Sequence, residues 1–224
     1  MSPDLLPVEV LRLGPLSFTD TLLTSGVISI LLVVVGAIAV RVERARGALE
    51  IAYEALERSI VETVAVDVRP LVPLVLTLWC FLVVCNLAGL IPGVSTPTRD
   101  LSITVALAGI SFFAGHANAL RVQGLRYLRR YVEPSPLLLP FNLVGEASRT
   151  LALALRLFGN MLSGHLVVAI VVYLAGFLLP VPLMLLSVLT SVVQAYIFGV
   201  LTLVFAASSL SVVEGAPPDR EVPS

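Results

Sequence analysis

The stretch LALALRLFGNMLSGH, residues 151–165, sets a guanidinium, Arg156, at the centre of an almost unbroken apolar run. A guanidinium stays charged at any working pH. Holding one at mid-bilayer costs about 2.5–3.5 kcal/mol on insertion scales, so a counter-charge or water must offset it. Glu146, Arg149, Arg156, Asn160 and Ser163 are spaced by three, seven, four and three, which keeps them on one helix face. His165, nine residues past Arg156, falls about 180° around the helix and ~13 Å along it. A second apolar run carries Ser187, Thr190, Ser191, Gln194 and Tyr196. Ionisable residues inside apolar spans mark ion pathways by default. Plainer readings stand beside that one. Glu146 can pair with Arg149, and Asn160 and Gln194 can be interhelical hydrogen-bond glue. Ser163, Ser187 and Thr190 can bond their own helix backbone, and His116 reads as an interfacial or packing residue.

Other chemistry has little material here. There are two histidines and no HExxH, GxSxG or P-loop spacing, which leaves no hydrolytic or nucleotide-binding constellation. Cys80 and Cys85 lie five apart in one apolar segment and point to different helix faces, which argues against a disulfide or metal site. No metal and no cofactor is expected. A net charge of −1 provides no basic field for nucleic acid. With 58% hydrophobic and 13% charged residues and a mean hydropathy of +1.00, the 224-residue chain has the profile of a polytopic membrane protein.

The elements that must position Arg156 follow from the apolar pattern. We expect one integral membrane domain over 1–224: an outer tail at 1–21, span 1 at 22–40, an amphipathic surface helix at 43–66, span 2 at 71–91, span 3 at 101–120, span 4 at 138–174, span 5 at 183–213 and a cytoplasmic tail at 214–224. The surface helix follows from Leu49, Tyr53, Leu56, Ile60 and Val64 at helical spacing, with Glu50, Glu54, Glu57 and Arg58 outside that stripe. A helix packed on a soluble partner would give the same pattern. The fold class is therefore all-α, with five transmembrane helices and one surface helix. Span 4 alone would measure ~55 Å against the ~20 residues that cross a bilayer upright, so the last two helices form a long, strongly tilted hairpin. Segment 41–69 holds five arginines and loop 121–135 four, against one each in the N-terminal tail and loop 92–100. The positive-inside rule puts the arginine-rich side in the cytoplasm, with the N-terminus outside. The N-terminus lacks the basic region of a cleaved signal peptide.

SRTLALALRLFGNMLSGH, residues 148–165, resembles the signature of the a subunit of F-type ATP synthases, in which one arginine precedes LFGNM on a long tilted helix. NLAGLIPG (86–93) resembles that family's turn after the second span, and LTSVVQAYIFGVLT (189–202) its last helix. The order of spans also matches, and the resemblance covers nearly the whole chain. It implies that Arg156 is a fixed stator charge facing a carboxylate on each subunit of a rotating c-ring. Ions would reach the ring through two offset half-channels. Glu146 would line the inner one, His165, Ser187 and Gln194 the outer one or the arginine, and Asn160 would set the arginine's position. Arg149, Asn86 and Ser163 are secondary candidates. The implied partners are the c-ring, the b subunits of the peripheral stalk, membrane lipid and, indirectly, a soluble ATPase head, in a bacterial inner membrane. The chain would not be catalytic alone.

The sequence also departs from that family. A titratable residue usual in the outer channel is Ser187 here, and an acid usual in the turn after span 2 is Gly89. Either water and His165 suffice, or the ion is sodium, which would suit a divergent N-type branch of these ATPases. An independent secondary transporter is the alternative. It predicts internal repeats with interrupted helices, and none relates 22–91 to 101–213. An intramembrane enzyme would need a nucleophile–base or metal constellation, and none is visible.

Overall fold

The computed structural model describes residues 9–13, 16–63, 69–89, 94, 96–124, 127, 137, 139–176 and 180–214. The LIPG turn at 90–93, most of the basic loop at 128–136 and the tail at 215–224 lie outside the described residues. Among the described residues six long α-helices carry the fold: α1 Asp20–Arg41, α2 Glu43–Thr63, α3 Val72–Ala88, α4 Leu101–Gln123, α5 Leu139–Ala175 and α6 Pro180–Glu214. All but α2 are long and apolar enough to cross a membrane, so the chain is a multi-pass, all-α membrane protein, as its apolar pattern predicts. The tail adds one short antiparallel hairpin, β1 Glu9–Leu13 with β2 Leu16–Thr19, in which Leu13 faces Leu16.

Local chemistry sets the ends of these helices. Thr19 caps α1, its Oγ1 accepting from the Leu22 N–H at 3.3 Å. Asp20 lies in the first turn and Arg41 in the last, matching the helix dipole. Asp100 caps α4 by accepting the Ser102 N–H at 2.9 Å. Gly124, at φ 61°, stops that helix and returns its N–H to Leu120 O at 2.8 Å, three residues beyond the expected end. Gly176, at φ 75°, ends α5 in the same way. Proline then opens α6 at Pro180. The prolines that read as a helix break are first-turn residues of the next helix, where a missing N–H costs nothing.

α3, α4, α5 and α6 pack around two clusters. One is central, built on Leu82, Leu107, Ala154, Leu157, Ala195 and Phe198. The other closes one end, where the start of α3 (Val72, Val75) meets the end of α4 (Ala119), Tyr127 and the end of α6 (Leu203, Ala206, Ala207). α1 stands apart and buries only Thr21 and Ile28. Its remaining apolar surface faces outward, as lipid allows. α2 is amphipathic. Tyr53 packs on the end cluster, while Arg46–Glu50 at 2.9 Å and Arg58–Glu54 at 3.6 Å lie on its exposed side. Such exposed pairs contribute about 0.3–0.5 kcal/mol each.

Candidate ion-pathway site

Arg156 sits at the middle of the 37-residue α5, and its side chain is exposed on the surface of the bundle. Among the described residues it forms no salt bridge and no hydrogen bond. The fold thus holds a permanent cation at mid-helix, turned out of its own core, with no counter-charge from the described residues. Leu153, Ala154 and Leu157 beside it are buried in the central cluster, which fixes the helix face that Arg156 presents.

α5 and α6 run antiparallel, and their register is visible in two contacts. Ser191 Oγ reaches Met161 Sδ at 4.0 Å, and a Cβ on Gly164 would stand 3.0 Å from Ser187 Oγ. The same register sets Gln194 opposite Leu157 and Phe158, beside the level of Arg156. Gln194 is buried, and its Nε2 has no partner among the described residues. A buried amide donor left unpaired costs about 1–3 kcal/mol. Toward the Gly176 end, Asn160, Ser163, Gly164, Ser187 and Thr190 line a groove of about 190 Å³ between the two helices. Ser163 Oγ donates to Asn160 O and Thr190 Oγ1 to Ser187 O, the backbone bonding expected of hydroxyls in apolar helices.

Polar residues gather at both ends of the bundle. At the end carrying Asp20, Thr96 Oγ1 lies 3.2 Å from His165 Nε2, and Arg99 is near enough to act on His165 electrostatically. Thr98 Oγ1 donates to Asn86 Oδ1 at 2.8 Å, and Asn86 Nδ2 donates to Ser191 O at 3.4 Å. The buried Asp100 accepts Thr21 Oγ1 at 2.7 Å. Sequence reasoning singled out His165, Ser187 and Asn86 but missed Thr21, Thr96, Thr98, Arg99 and Asp100. The signal available was the polar TPTRD run directly before the apolar run of α4, which is an N-cap signature. Among the described residues no hydrogen bond joins His165 to Ser187. The Thr96 contact takes that place.

At the opposite end, Arg149 Nη1 lies 3.8 Å from Glu146 Oε1, and its guanidinium sits 5.7 Å over the Phe205 ring. Glu146 is the more buried partner, its side chain 13% exposed against 48% for Arg149. They border a cavity of about 20 Å³ between α4, α5 and α6. Ser111 Oγ donates to Thr202 Oγ1 at 2.8 Å on its wall. Glu146 and Arg156, ten residues apart, are separated by ~15 Å along the helix. No group of three or more metal-ligating side chains occurs among the described residues.

Five helices apolar enough to cross a membrane, with an arginine at mid-helix that has no partner among the described residues and polar clusters at both ends, define a multi-pass integral membrane protein. Residues 20–207 match the family described as ATP synthase A chain, and the chain belongs to that family. It is 42% identical over 212 residues to "ATP synthase subunit a 1" of Hahella chejuensis, covering 92% of this chain and 91% of that one. It is 43% identical over 216 residues to "ATP synthase subunit a 2" of Pelobacter propionicus, covering 94% and 95%. It is 45% identical over 169 residues to "ATP synthase subunit a" of Legionella pneumophila strain Corby, covering 75% and 72%.

Proposed function

We propose that this chain is the ion-translocating stator subunit of a rotary ATP synthase, with Arg156 as the fixed charge that a ring of carboxylates passes. The observation that carries the reading is the exposed, unpaired Arg156 at mid-helix. A charge held there calls for water or for a counter-charge, and the described residues supply no counter-charge. A protonated carboxyl arriving beside a permanent cation becomes a stronger acid and releases its ion. Opposite charges in that setting attract far more strongly than in water, so water must reach the contact for it to be broken again. Arginine keeps the barrier charged throughout, where a buried lysine could discharge and let ions slip past.

Two offset paths would serve the ring. The Glu146 end, next to the arginine-rich loops, would open to the cytoplasm, and the His165–Thr96 end would open to the outside. Gln194 and Asn160 flank the level of Arg156 and would restrict its movement. One charge crossing 100 mV releases ~2.3 kcal/mol, so several must pass for each ATP, which a ring of repeated sites provides. The b subunits would hold this chain against rotation, in a bacterial inner membrane with the N-terminus outside.

The test is ATP-driven ion uptake by inverted vesicles carrying the complete complex, with Arg156→Ala beside the unmodified chain, in sodium-free and sodium-containing buffer. We expect Arg156→Ala to abolish uptake while the soluble head still hydrolyses ATP. Normal pumping by that variant would reduce Arg156 to a structural residue and refute the reading. Dependence of uptake on sodium would identify the ion.

A further inference from the structure

His116 reads from the sequence as an interfacial or packing residue near the end of α4, and the structure adds a polar cavity to its surroundings. It lines the same small cavity as Glu146 and Arg149, at the end of the bundle that the arginine-rich loops flank. The ring is held in one orientation. It lies 4.0 Å from the Phe112 ring, meets Tyr127 edge-on at 5.8 Å, and its Nδ1 is 2.9 Å from Phe112 O. A carbonyl only accepts, so Nδ1 carries the hydrogen and Nε2 is the basic atom of the ring. The cavity, about 20 Å³, has the volume of about one water.

We infer that His116 is a proton-relay residue at the cytoplasmic mouth of the inner half-channel, exchanging protons with Glu146 through a single water. The inference rests on the stator reading above and adds to it a residue and an ion. For a proton moving inward to the ring, imidazolium Nε2–H gives its proton to the water. The water passes one of its own to the Glu146 carboxylate, and His116 is left neutral to take the next proton from the cytoplasm. Outward flow runs the same steps in reverse. Among the described residues, the charged and titratable groups that border His116 or its cavity are Glu146 and Arg149 from α5 and the Tyr127 phenol; α6 lines the cavity with the uncharged Thr202, Phe205 and Ala206. A one-water cavity passes protons by exchange along hydrogen bonds, whereas a hydrated metal cation does not fit it, so the geometry points to protons as the ion.

The experiment uses the complete complex in inverted vesicles, whose bath is the cytoplasmic side. ATP-driven proton uptake is measured in sodium-free buffer over a series of bath pH values, with the amount of copurified ring as the assembly control. His116→Gln keeps a donor for Phe112 O but carries no proton, and His116→Phe keeps only the packing. Both should lower uptake by about tenfold in alkaline baths, where proton supply limits, with the deficit closing in acidic ones. His116→Glu, titratable but without the Phe112 bond, should recover part of the loss. Uptake equal to the unmodified chain at every pH overturns the inference. So does a deficit that is the same at every pH, or one that tracks lost assembly, since either marks a structural residue. A requirement for sodium also overturns it. Arg156→Ala in the same series separates the two claims: if it stops uptake while His116→Gln does not, only the relay fails.

Discussion

The Thr96 hydroxyl lies 3.2 Å from His165 Nε2, and that same oxygen fills the space a Cβ on Gly89 would need. Three segments meet at one atom: the cap of α3, the loop before α4 and the C-terminal third of α5. The structure supplies a physical reason for glycine at position 89. A side chain there would drive Thr96 off His165.

Gly89→Ala should therefore be more disruptive than its size suggests. Forcing a methyl into this contact costs about 1–3 kcal/mol and breaks the Thr96–His165 pair. The thermal stability of the purified complex should fall. Adding Thr96→Ala, which removes the obstructing hydroxyl, should recover most of the loss. An unchanged melting point for Gly89→Ala would mean that the loop moves freely and the contact is incidental.

Thr21→Val removes the hydroxyl that Asp100 accepts at 2.7 Å and leaves that oxygen of a buried carboxylate short of a donor. Hydrogen bonds to charged groups are worth about 1.5–3 kcal/mol. Because this bond ties α1 to the start of α4, the expected result is easier proteolysis or extraction of α1 in addition to a lower melting temperature. If α1 stays as protected as before, the tie is carried elsewhere.

Ser111→Ala provides a measure of hydroxyl bonding inside the bundle. Ser111 donates to Thr202, which donates in turn to Phe198 O. Interhelical hydrogen bonds within membranes average only about 0.6 kcal/mol, so the single variant should cost under about 1 kcal/mol. Thr202→Val should add little in the Ser111→Ala background. A loss of several kcal/mol would show that this pair is central to assembly.

Gly164→Val tests the approach of α5 to α6. A Cβ there already stands 3.0 Å from Ser187 Oγ, and a branched side chain must push the helices apart next to the groove lined by Asn160, Ser163 and Ser187. We expect a loss of coupled pumping larger than any loss of complex, because the groove and the level of Gln194 shift together. Gly164→Ala with Ser187→Ala should pump normally. Equal losses for both variants would rule out steric separation as the cause.

Much of the architecture was legible in the chain because a bilayer leaves few choices. The five apolar runs had to be helices, since no other open element satisfies its backbone in hydrocarbon. Arg156 identified itself by its energetic cost. Spacing along one helix also placed Glu146, Arg149, Asn160 and Ser163 relative to it, because the 3.6-residue period is local. The ends of the helices were less legible: Pro180 and Pro182 read as a break and are the start of α6.

Contacts between distant segments were decided only in the tertiary structure. No local pattern could pair Thr96 with His165, Thr21 with Asp100, Asn86 with Thr98 and Ser191, or His116 with the cavity beside Glu146, because each depends on how separate helices are staggered and rotated against one another. Outside the polar face of α5, hydropathy is nearly uniform around the spanning helices and gives no such rotation, so small residues, hydroxyl bonds and close packing set it instead. The sequence by itself determined that a permanent cation stands at the centre of an apolar run and what holding it in lipid would cost. The packed structure determined that Arg156 faces outward with no counter-charge among the described residues, and which polar side chains gather toward either end of its helix.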